Sequence, residues 1–149
     1  MKRDDAIAEI NGHCLLMRSR LLSRVLTAIY DEELRPFGIG SPQFALLVII
    51  RTIEPATRAE IGRFHHQERS TLTRNLKVIL AEGWAEEMQD AAAGRGRPLK
   101  LTKAGKDLLR KGKPAWQVAQ ERAKTLLGKD GTAAVMAIAD RIMDPTSRT

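Results

Sequence analysis

The chain has 149 residues, 43% of them hydrophobic and 29% charged, a make-up that suits one globular domain and excludes a disordered or fibrous protein. Lys and Arg number 25 against 18 Asp and Glu, and the net charge of +7 favours an anionic partner such as nucleic acid or a membrane surface. The single cysteine, Cys14, excludes an intrachain disulfide and fits a reducing cytoplasm.

The N-terminal MKRDDAIAEI carries two acids and lacks the apolar core of a signal peptide. From Asp4 to about Leu34 the pattern predicts one long helix. Ile7, Cys14 and Leu21 recur every seven residues, as do Leu15, Leu22 and Ile29, which gives a broad apolar face. Pro36, Gly38 and Gly40 of RPFGIG end it. Ser41 before Pro42 reads as an N-cap and a first helical residue, because proline lacks only an N–H that would go unpaired there. The helix PQFALLVIIRTI is apolar nearly all round and belongs at the domain centre. Its run FALLVII is seven residues long, against ~20 for a membrane span, so no membrane partner is expected.

EPAT makes a turn, and Thr57 with Glu60 in TRAE has the spacing of a capping box. The short helix it opens runs to about Phe64. A tight connection from His65 to Gln67 leads into a helix from about Glu68 to Ala81, stopped near Gly83. WAEEMQ and PLKLT read as strands flanking the hairpin tip DAAAGRGR. A helix begins near Thr102 and reaches about Leu127, with Gly112 and Pro114 bending or breaking it. Asp130 is expected to cap a last helix that stops before DPTSRT.

The segment ERSTLTRNLKVIL carries the most chemistry. Leu72, Leu76 and Ile79 share one side of the helix, and Ser70, Thr73, Arg74 and Lys77 share the other. A helix ~10–12 Å across fits the major groove of DNA. There arginine can fork onto guanine, hydroxyls can donate or accept, and threonine can meet the thymine methyl. A solvated amphipathic helix would show the same pattern. The hairpin discriminates: Arg95 and Arg97 stand at its tip beside glycines, and a narrow minor groove attracts inserted arginine. Helix-turn-helix followed by a basic hairpin is a winged helix.

In residues and in order, GIGSPQFALL, RSTLTRNLKVILAEGWAEE, the wing and LKLTKAGKDLL resemble the multiple-antibiotic-resistance regulator (MarR) family of bacterial transcription factors, over roughly Leu15 to Leu109. The resemblance implies a mainly α fold, a winged helix-turn-helix with one small β-hairpin wing. Residues 1–35 and 110–149 would supply dimerisation helices, and 36–109 the DNA-binding region. It further implies a homodimeric repressor of a palindromic double-stranded operator, governed by a small aromatic or phenolic effector bound between the dimer core and the DNA-binding lobe. By position the recognition helix spans Arg69 to Leu80, with Ser70, Thr71, Thr73 and Arg74 nearest the bases, Lys77 on the same face, and Arg95 and Arg97 in the wing. His66 stands where the family commonly has glycine; histidine tolerates a left-handed backbone better than most residues.

His13 and Arg20 are candidate polar groups for a phenol or carboxylate effector, and Tyr30 and Trp116 either fill core or wall its site. Cys14 is either a redox-sensing thiol or a small apolar residue on a helix face. Lys103, Lys106, Arg110 and Lys113 form a basic stripe that is either a solvated face or a phosphate contact. No metal site is expected, because the adjacent His65 and His66 point apart and no cysteine cluster accompanies them. No nucleophile–base set or phosphate-binding glycine loop marks an enzyme, and no cofactor is expected.

Overall fold

The computed structural model describes residues 2–89, 96–144 and 146, with side chains from residue 4 onward. The helix expected from Asp4 to Leu34 is in fact two, α1 (Lys2–His13) and α2 (Leu15–Leu34). They part at Cys14, which is extended at φ −69° and ψ 111° and forms the N-cap of α2. The weak helix former Gly12 precedes the break, and the Arg18 guanidinium donates to the freed Gly12 carbonyl at 2.7 and 3.2 Å.

A 3-10 turn at Arg35–Phe37 leads to α3 (Ser41–Ile53). Its N-cap is Gly40, not Ser41. Other side chains do the capping: the Gly40 N–H donates to Gln43 Oε1 at 3.0 Å, and the Ser41 N–H donates to Asp31 Oδ1 at 2.7 Å. Phe44, Leu46, Leu47, Ile49 and Ile50 of α3 are buried, as its all-round apolar pattern predicts. In α4 (Arg58–Phe64) the capping box is present, with the Thr57 N–H donating to Glu60 Oε2 at 2.7 Å and the Glu60 N–H to Thr57 Oγ1 at 3.3 Å. Glu68 is the N-cap of α5 (Arg69–Ala81) rather than its first helical residue. Gly83, at φ 74°, reverses the chain after it.

Two three-residue strands follow, β1 (Ala85–Glu87) and β2 (Leu99–Leu101), paired antiparallel with Ala85 opposite Leu101 and Glu87 opposite Leu99. Both are shorter than WAEEMQ and PLKLT suggest. Ala56 adds a third edge, its N–H donating to the Leu99 carbonyl at 3.1 Å and its carbonyl accepting from the Leu99 N–H at 2.8 Å. Leu99 and Leu101 point into the core while Lys100 points out, the two-residue period of a one-sided strand.

The last helix, α6 (Lys103–Met143), starts from Thr102, whose hydroxyl accepts from the Gly105 N–H at 3.1 Å. It is not broken at Gly112 or Pro114. A mid-helix proline costs ~3 kcal/mol, but here the helix is pinned on both sides by packing, with Gly112 against Phe44 and with Ala119 and Ala123 buried. The break falls at Gly128 instead of at an Asp130 cap. Its φ of 72° with ψ of 174° is a conformation essentially only glycine adopts.

The core joins the end of α2 to α3, α4, α5 and β2 through Leu34, Leu47, Ile50, Ile61, Ile79 and Leu99. Outside it, α1, α2 and the end of α6 leave large apolar side chains uncovered: Leu15 is 84% exposed, Ile7 and Leu16 64%, and Met136 56%. Among the described residues no single helix is long and apolar enough to cross a membrane.

Candidate nucleic-acid interface and adjoining cavity

The turn that aims α5 begins at His65, passes through His66 at φ 50°, and is tied by the Gln67 N–H donating to the Gly62 carbonyl at 3.2 Å. The left-handed conformation that glycine would supply is thus taken up by histidine. From there Leu72, Leu76 and Ile79 turn into the core, at 5%, 2% and 0% exposure. Arg69, Ser70, Thr73, Arg74 and Lys77 are exposed, and Thr71 is half-buried at the rim of the same face. Thr73 donates to the Arg69 carbonyl at 2.8 Å, which leaves its oxygen lone pairs and methyl facing outward. Among the described residues no carboxylate pairs with Arg69, Arg74 or Lys77. This face offers cations and hydroxyls and no acid.

Asn75, 9% exposed, lies between the two faces and accepts from Gln43 Nε2 at 3.1 Å. Gln43 also receives the Gly40 N–H, so one side chain joins the start of α3 to the middle of α5. A buried asparagine amid leucines was the available signal for this tie, and periodicity alone passes over it.

The hairpin is braced from outside its own sequence. Arg58 of α4 pairs with Glu87, Glu54 Oε2 accepts from the Leu101 N–H at 2.8 Å, and Thr102 donates to the Gly83 carbonyl at 2.6 Å. Arg97 is exposed beside Gly96, whereas Arg95 and Asp90 lie outside the described residues. Between α4, α5 and the root of the wing runs a cleft of about 620 Å³, walled by Arg58, Arg63, Gln67, Arg69, Thr73 and Gly96. Glu60, at the start of α4, is held below the ordinary glutamate pKa by the Thr57 N–H, then by the Thr57 hydroxyl, with Arg63 adding a smaller push.

A second cavity, about 660 Å³, opens between α2, α3 and α6. Tyr30 and Trp116 wall it together, and His65 reaches it from the turn before α5. The Tyr30 hydroxyl donates to Gln120 Oε1, and burial raises its pKa. His13 and Arg20 do not line it: Arg20 is exposed on α2, and His13 borders a small cleft with Cys14 at the α1–α2 break. The break sets His13 off from α2, whereas Arg20 lies on a side of α2 other than the Ser19, Ser23 and Tyr30 face that lines the cavity. Cys14 is itself half-buried there, while its heptad neighbours Ile7 and Leu21 stand exposed.

Lys103, Lys106, Arg110 and Lys113 are all exposed, with Arg110 held at 3.7 Å by Asp107. Among the described residues no three His, Cys, Asp or Glu side chains come together as a metal site.

No protein-family model matches the chain. The HTH-type transcriptional regulator YwoH of Bacillus subtilis is 34% identical over 80 residues, 54% of this chain and 58% of that protein. The multiple antibiotic resistance protein MarR of Escherichia coli is 31% identical over 77 residues, 52% of this chain and 54% of that protein. The chain thus spans a little over half the length of these two curated relatives. Among solved structures, the transcriptional regulator MosR of M. tuberculosis, in complex with DNA, has a TM-score of 0.74 and 32% identity, covering 86% of this chain and 92% of that one. These relatives are transcriptional regulators, not enzymes.

Proposed function

The chain belongs to the MarR family of transcriptional regulators, and on that premise we propose that it is a cytoplasmic, sequence-specific double-stranded DNA-binding repressor. It works as a homodimer on a palindromic operator and answers to a small aromatic effector. The observation that carries the reading is the outward face of α5, where Ser70, Thr73, Arg74 and Lys77 stand exposed without an acid while Leu72, Leu76 and Ile79 anchor the helix from behind. Arg69 and Thr71 join that face at its start and rim. Arg97, exposed beside Gly96 at the wing, reaches the minor groove. Arginine and lysine near phosphates supply affinity, and the base-edge contacts of the helix supply sequence choice.

Dimerisation is supported by the uncovered apolar residues of α1, α2 and the end of α6. Burying each such side chain stabilises by ~1.5–3 kcal/mol, so residues 1–35 and 110–149 are the natural partner surface. Two recognition helices then have to lie ~34 Å apart to enter successive major grooves. The cavity with Tyr30 and Trp116 is the effector site; because His65 belongs to both the cavity wall and the turn before α5, an occupant bears on the aim of the recognition helix.

Selection of bound sites from random duplex DNA, with sedimentation of the complexes, tests the reading. The expected result is a palindrome with half-sites one helical turn apart, bound by two chains. A monomer without duplex preference would refute it.

A further inference from the structure

Ser70, Thr73, Arg74 and Lys77, exposed together on α5, differ in the hydrogen-bond polarity they can present. Arg74 and Lys77 carry donors only. The Ser70 hydroxyl is held by no partner among the described residues, so its proton can turn either way. Thr73 stands apart. Its Oγ1 donates to the Arg69 carbonyl at 2.8 Å, one turn back along the same helix, while the side chain stays exposed. The proton is engaged inside the helix, and what Thr73 shows outward is lone pairs and a methyl group. Turning that proton outward would break the bond at a surface from which a docked duplex excludes water, so the polarity persists in the complex.

Base edges in the major groove sort by the same polarity. Adenine N6 and cytosine N4 donate, whereas guanine O6 and N7 and thymine O4 accept. An oxygen that offers only lone pairs gains a hydrogen bond from the first pair of bases and meets repulsion from the second. Its neighbour Arg74 pairs with no carboxylate among the described residues, which leaves a donor fork for guanine. The rotation of α5 that points Thr73 outward is fixed from behind by buried Leu72 and Leu76 and by Asn75, which accepts from Gln43.

We propose that Thr73 is the acceptor of the reading face. It selects a base with an exocyclic amino group, adenine or cytosine, at one position of each half-site, and rejects guanine and thymine there. This assignment rests on the reading of α5 as the helix that enters the major groove, and adds to it the chemical class of one operator base. A threonine that read through its methyl group would choose thymine instead.

The test is selection of bound sites from random duplex DNA by the unmodified chain, Thr73→Val and Thr73→Ser. Valine keeps the branched shape without the oxygen. Serine keeps an oxygen able to bond the Arg69 carbonyl and loses the methyl. The unmodified chain should confine one position per half-site to adenine or cytosine. Thr73→Val should lose that restriction at that position alone, and Thr73→Ser should restore it. In fluorescence anisotropy, deleting the amino group there (purine for adenine, 2-pyrimidinone for cytosine) should weaken the unmodified chain about tenfold and make no difference to Thr73→Val. A Thr73→Val variant that keeps the adenine-or-cytosine choice, or the absence of any position so confined, would overturn the acceptor role while leaving α5 as the reading helix. So would a thymine choice that Thr73→Val preserves and Thr73→Ser loses. An unmodified chain that selects no sequence would overturn both.

Discussion

The tie between Gln43 and Asn75 sets how the recognition helix sits on the core, and its removal has a measurable size. Asn75→Ala deletes the acceptor of the Gln43 amide, and a donor left without a partner costs ~1–3 kcal/mol. Gln43 is half-buried, so water recovers part of this and the low end of the range applies, about 1–1.5 kcal/mol. For a chain of this size each kcal/mol lowers Tm by ~2–4 °C, giving a drop of roughly 2–6 °C. Gln43→Ala should cost at least as much, because the same side chain also accepts the Gly40 N–H at the start of α3. The double variant decides whether the two act as one unit. Residues in one hydrogen-bond network couple by ~0.5–3 kcal/mol, so the double should lose less than the sum of the singles by about 0.5–1.5 kcal/mol. Urea melts of the four proteins measure this. Additivity within ~0.3 kcal/mol would refute the idea that this tie holds α5 to α3.

Gly105 packs so closely on the end of α5 and the start of the hairpin that an added Cβ would lie 2.0 Å from the Trp84 carbonyl oxygen. Gly105→Ala should therefore lower Tm by about 2–12 °C, given ~1–3 kcal/mol for overpacking, whereas Gly12→Ala, with nothing within 4 Å, should not lower it. Thermal melts of the pair check this. Thr57→Ala should cost ~1 kcal/mol by urea melt through loss of the α4 cap. Because the Glu60 pKa is lowered in the fold, its contribution is present above the ordinary glutamate value and is lost as pH falls through the lowered one; Glu60→Gln should flatten that part of the stability–pH curve in acid titration. Peroxide should leave operator binding by the unmodified chain unchanged, with Cys14→Ser binding alike; a peroxide-induced release from DNA that Cys14→Ser abolishes would show the thiol to be a sensor.

The parts of the fold governed by local chemistry were legible in the residues. The box formed by Thr57 and Glu60, the stop at Gly83 and the split of α5 into apolar and polar faces are each decided within a few residues of themselves. The same holds for His66, whose left-handed backbone follows from the tight turn around it. Features set by distant packing were not legible. Helix α6 passes Pro114 because Gly112 meets Phe44 across the domain, and no pattern near the proline shows that contact. The kink at Cys14 involves Arg18 reaching back to a carbonyl, which heptad counting ignores. It also sets His13 apart from the cavity of Tyr30 and Trp116, whereas Arg20 stands apart because it lies on another side of α2. The brace from Arg58 to Glu87 joins residues 29 apart, with nothing local to announce it.

The most direct test of the central claim is the affinity of the selected operator for a Ser70→Ala, Thr73→Ala, Arg74→Ala variant, read by fluorescence anisotropy alongside mixed-sequence duplex. Each base-edge contact is worth ~1–3 kcal/mol, so the account predicts a loss of about 100-fold or more for the operator. Binding of mixed-sequence duplex should weaken far less, and Tm should hold because these side chains are exposed. A variant that still prefers its operator over mixed sequence as strongly as the unmodified chain would contradict the assignment of this face as the surface that reads DNA.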